Sequence, residues 1–129
     1  MGAWGKLHAA TLELAKSAPI KQRLTLAFSK HLKHIDALQL PPSLRCEFLE
    51  ILRGLEAIPA LPGETPVQAT VRKMSAEDAD LYAARIVVLF GEVARASTVT
   101  ARDVEPEPRV ERYADDATNV VPLLYAAEA

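Results

Sequence analysis

The chain has 129 residues, half of them hydrophobic but only 5% aromatic, with a net charge of −2 and a pI near 5.9. That length corresponds to one domain, and the charge argues against a constitutive nucleic-acid binder, which carries a clear basic excess. A core this poor in aromatics must rest on Leu, Ile, Val and Ala, a palette better suited to helix-on-helix packing than to a β-sandwich.

The single Cys46 excludes an intramolecular disulfide and fits a reducing compartment. Lys6, His8 and Glu13 break up the opening stretch, so it lacks the apolar run of a signal peptide. Gly2 is followed by Lys6 where a myristoylation motif wants Ser or Thr. The longest strongly apolar run, Ile86 to Phe90, is far too short to span a bilayer. These features predict a cytoplasmic protein with no membrane contact.

A first helix is expected over Ala3 to Lys16, with the stripe Trp4, Leu7, His8, Thr11, Leu14 and Ala15 at spacings of three and four. Ser17 and Pro19 read as the N-cap and an early position of a second helix. That helix is expected to reach about Ala37, with Ile20, Leu24, Ala27, Phe28, Ile35 and Leu38 on one face. Pro41 and Pro42 open a third, whose apolar side is Leu44, Phe48, Ile51, Leu52, Leu55 and Ile58, with Cys46 pointing away. The loop PALPG ends it.

The segment TPVQATVRKM alternates like a strand at Val67, Ala69 and Val71. Thr65 and Gln68 nevertheless form a capping box around Pro66, and Val67, Val71 and Met74 are spaced for a short helix. Ser75 and Asp78 mark a last helix from Ala76 to about Ala96, with two acids in its first turn where the dipole favours them. Its run RIVVLFG has strand propensity, but the stripe Tyr82, Ala83, Ile86, Phe90 and Val93 is helical. The expectation is therefore an all-α bundle of four to five helices over residues 1–96. An acidic, Pro-containing C-terminal tail follows over residues 97–129, with three arginines against seven acids.

The stretch SKHLKHID places His31 in the apolar stripe of the second helix and His34 at its edge. In an antiparallel hairpin His31 falls near Gly5 and Lys6, within a turn of Trp4 and His8. The plainest reading is partly buried, hydrogen-bonded histidines with a ring stacked on Trp4. A metal site at His8, His31 and His34 lacks an obvious further ligand, so neither metal nor cofactor is expected. Acid–base catalysis lacks a cleft and an orienting partner. A buried histidine would also make the fold acid-labile below about pH 6. Lys21, Arg23, Lys30 and Lys33 fall on the solvated side of the second helix, and a nucleic-acid-associated regulator would use them as a phosphate track.

Two features point to protein partners. The last helix has a second apolar strip, Leu81, Ala84 and Val88, nearly opposite Ile86 and Phe90. Such a helix is either central in its own bundle or docks a second copy or another protein. The tail ends in the apolar group Val120, Val121, Leu123, Leu124 and Tyr125, a pattern that either folds into a partner's groove or packs back on its own bundle. No nucleophile elbow, phosphate loop or zinc-protease motif occurs. The residues thus favour a non-enzymatic interaction or regulatory protein, acting through Leu81, Ala84 and Val88 and through Val121, Leu123, Leu124 and Tyr125.

Overall fold

The computed structural model describes the backbone of residues 2–104 and the side chains of residues 2–97. The fold is all-α: five α-helices and two short 3-10 turns follow one another, with no strand among the described residues. The helices are α1 (Ala3–Leu14), α2 (Ile20–Lys30), α3 (Pro42–Leu55), α4 (Pro66–Lys73) and α5 (Ala76–Val104). The 3-10 turns, Leu32–His34 and Ala37–Gln39, lie between α2 and α3. None of these helices is long and apolar enough to cross a membrane.

One core joins all five helices. It contains Leu7, Ala10 and Leu14 of α1, Leu24 and Phe28 of α2, and Phe48, Ile51 and Leu55 of α3. Val67 and Val71 of α4 and Ile86, Leu89 and Val93 of α5 complete it. Burying each large aliphatic or aromatic side chain is worth about 1.5–3 kcal/mol, so this shared apolar layer dominates the stability.

Several helix ends differ from the sequence expectation. The first helix stops at Leu14 rather than Lys16, and the second begins at Ile20 with Pro19, not Ser17, as its N-cap. Arg23 explains the compact turn: its Nε donates to Ala18 O and its Nη1 to Leu14 O, both at 2.6 Å. Arg23 thus satisfies a carbonyl at the end of α1, while the start of α2 has no side-chain cap and the one expected from Ser17 is not made. The second helix ends at Lys30, not near Ala37, because His31 leaves helical geometry at φ −129°. Beyond it, the Asp36 carboxylate accepts from Leu38 N at 3.0 Å, a local bond that competes with helix continuation. The change of path buries Leu32 and leaves Leu38, expected in the stripe, 73% exposed.

The remaining starts follow the sequence closely. Pro42 stands in the first turn of α3. The Thr65–Gln68 capping box is complete, so TPVQATVRKM is helical and its strand-like alternation is overridden. Gly63, at φ +84°, makes the left-handed turn that leads into it. Ser75 Oγ accepts from Asp78 N at 3.0 Å and caps α5. That helix passes Ala96 and continues to Val104, since no Pro or Gly stands between them. Residues 97–104 thus have helical backbone.

Candidate functional site

The two faces of α5 have opposite environments. Ile86, Leu89 and Val93 are buried in the core. Leu81 and Val88 are 63% and 62% exposed, and Ala84 between them is also exposed. Of the two alternatives for this strip, enclosure by its own bundle is not met among the described residues. Large exposed apolar side chains elsewhere, such as Leu12, Leu38 and Leu61, stand on separate elements. Scattered singles of that kind are ordinary, whereas an aligned strip is not.

The strip forms one wall of a groove between α5 and α3 with a volume of about 430 Å³. Leu81, Tyr82, Ala84 and Val88 supply its apolar lining, and Glu47, Asp78 and Arg85 its polar rim. Arg85 grips Glu47 with two hydrogen bonds, at 3.0 and 3.1 Å, and lies 3.8 Å from Glu50. Its guanidinium also sits 5.4 Å from the centre of the Tyr82 ring. The hydrogen bonds from Arg85 hold the Glu47 carboxyl below its ordinary 4.5. Because this rim pair is satisfied within the chain, it fixes the groove wall rather than standing as an unpaired charge.

Two glycines give this surface different characters. At Gly54 in α3 an added Cβ would overlap the Tyr82 hydroxyl, so glycine here lets α5 lean closely on α3. At Gly91, further along the outer side of α5, a Cβ would meet nothing within 4 Å. A glycine inside a helix costs about 1 kcal/mol relative to alanine, and no neighbour within the described chain requires it at Gly91.

The histidines are not brought together. The His8 ring stacks on Trp4 with centroids 5.3 Å apart, as expected, and on Phe90 at 5.5 Å. His8 is nevertheless exposed and Trp4 is 45% exposed, because the buried side of α1 runs through Ala3, Leu7, Ala10 and Leu14. His31 lies beside Glu13, with Nε2 3.6 Å from Oε1, instead of near Gly5 and Lys6. It is the backbone carbonyl of His34 that reaches Lys6, accepting from Nζ at 2.7 Å. Among the described residues no three His, Cys, Asp or Glu side chains converge as a metal site would need. The acid-labile histidine required an imidazole surrounded by apolar groups. His31 instead faces a carboxylate and is 24% exposed, and His34 is exposed.

Glu13 is a buried acid that sequence reasoning missed. It is buried, with Lys16 Nζ 3.4 Å from both its oxygens. Burial alone would raise its carboxyl, but Lys16, Lys30 and the hydrogen bonds from Lys16 and His31 outweigh it. The balance lies below the ordinary 4.5. The i, i+3 spacing to Lys16 was visible in the sequence, but the fold alone supplies the burial and the contact with His31.

The four basic residues do not form an unengaged row. Arg23 is committed to two carbonyls, as above, and Lys21 Nζ approaches Arg72 O at 3.4 Å. Lys30 and Lys33 are exposed, but the helix that was to align them ends at Lys30. Cys46 is exposed, as expected. Val121, Leu123, Leu124 and Tyr125 lie outside the described residues.

No protein-family model, curated protein or solved structure matches this chain. Its function must be read from its own surface.

Proposed function

We propose that this protein is a non-enzymatic interaction module whose working surface is the outer strip of α5 and the adjoining groove over α3. The observation that carries this reading is the aligned exposure of Leu81, Ala84 and Val88 along one helix. An apolar wall of this kind beside a satisfied polar rim is the usual anatomy of a protein-binding patch. The side chains were already recognisable in sequence as a second apolar strip, so pattern and exposure agree. Arg23 and Lys21 are engaged within the chain, which removes two of the four cations that a phosphate track would need. Protein partners are therefore favoured over nucleic acid.

A photo-crosslinking amino acid at Ala84, with a control placement at Glu56, tests the reading in cells. Adducts of discrete mass from position 84 and none from position 56 are expected, and Leu81→Glu with Val88→Glu should abolish them. Equal labelling at both positions, or none at either, would remove the proposal.

A further inference from the structure

The occupant of the α5 strip can be taken further, resting on the interaction reading above. Glu77, Leu81, Ala84, Val88, Gly91 and Arg95 recur along the outer side of α5 at alternating spacings of four and three. That is the repeat by which one helix lies along another. All six are exposed, and all lie within the helix Ala76–Val104. The strip is apolar or small in its middle, acidic at one end and basic at the other.

We propose that the strip binds a second copy of itself, with the two α5 helices antiparallel about a two-fold axis. In the register that layers this repeat on itself, Leu81 of one copy lies over Gly91 of the other, and Val88 over Ala84. Each layer thus sets a large side chain against a small one, and the two-fold repeats every layer. In the same register Glu77 of one copy meets Arg95 of the other, at both ends. A parallel pairing would instead set Glu77 against Glu77 and Arg95 against Arg95. Charge complementarity therefore selects the antiparallel arrangement.

Two observations support the occupant from independent sides. Gly91 has open space above it and, among the described residues, no neighbour that requires a glycine. A Leu81 side chain arriving from a second copy supplies that requirement. The end charges are also available at the surface: Glu77 is exposed, and among the described residues Arg95 is held only by its own-helix neighbour Glu92 at 2.8 Å. Asp78 and Glu92 stand beside the same ends, so each Arg95 would lie among carboxylates in the dimer. The end pairs set orientation, and the apolar layers hold the helices together.

The test is sedimentation of the full chain across a dilution series, with helical content checked by circular dichroism. Wild type should dimerise reversibly. Glu77→Arg and Arg95→Glu, each creating like-charge contacts at both ends, should weaken the dimer roughly tenfold or more. The double variant restores opposite charges and should recover dimerisation. Gly91→Ala should raise the melting temperature of the monomer while weakening the dimer, a split that loss of folding cannot mimic. A wild type that stays monomeric, or single variants that match the double, overturns the antiparallel pair. Adducts at Ala84 with a different protein would then leave the interaction reading standing. Absence of any adduct would remove both.

Discussion

The inner and outer faces of α5 are written in nearly the same alphabet. Ile86, Leu89 and Val93 on one side and Leu81, Ala84 and Val88 on the other are all aliphatic, yet the first set is buried and the second is not. The difference comes from what the rest of the chain supplies. Helices α1 to α4 each contribute an apolar side to one core, and that core closes over only one face of α5. Hydrophobicity locates a face that wants covering, whereas topology decides which face is covered within the chain. The face left exposed among the described residues is the one the proposed interaction would use.

The largest test of this contrast is on the buried side. Ile86→Ala should cost about 2–5 kcal/mol of folding stability, read by chemical denaturation. A loss under 1 kcal/mol would mean that this face is not core. Next comes the close approach of α3 and α5. Gly54→Ala should destabilise by about 1–3 kcal/mol through overpacking against the Tyr82 hydroxyl, despite the better helix former. Adding Tyr82→Phe should recover part of the loss. If Gly54→Ala instead stabilises, the helices do not meet there.

Acid should act through carboxylates. Glu13 and Glu47 both titrate below 4.5 in the folded chain. Groups lowered by folding contribute stability that is complete above their unfolded values and is lost as pH falls through the folded ones. Melting temperature should therefore hold steady from pH 7 to about 5 and drop below 4.5. A decline that begins near pH 6 would restore a histidine as the sensitive group. The smallest expected effect is at Gly91. Gly91→Ala should stabilise the fold by about 0.5–1 kcal/mol, the opposite sign to Gly54→Ala on a similar helical background. Two glycines of one sign would remove the distinction drawn between them.

The sequence was most legible where local chemistry decides. The Thr65–Gln68 capping box, the Pro42 start and the Ser75 cap carry their own hydrogen bonds or fixed angles, and each appears as read. It was least legible where a distant partner decides. Arg23 closes the turn between α1 and α2 by donating back to Leu14 O, and Asp36 holds a turn where apolar spacing alone predicted continued helix. The stripe through Trp4, His8 and Thr11 is rotated from the buried side, which runs through Ala3, Leu7, Ala10 and Leu14. The strip at Leu81, Ala84 and Val88 was legible as a pattern, but its exposure was not. The Glu47–Arg85 pair on its rim joins residues 38 apart and had no local signal.

The most direct measurement is thermal melting and sedimentation of the full chain carrying Leu81→Glu and Val88→Glu. If the outer face of α5 is a binding surface and not core, the variant folds with a melting temperature close to that of the wild-type monomer and does not self-associate. Loss of the folded state would show that the strip is buried after all. Unchanged association in a folded variant would show that binding, if any, lies elsewhere.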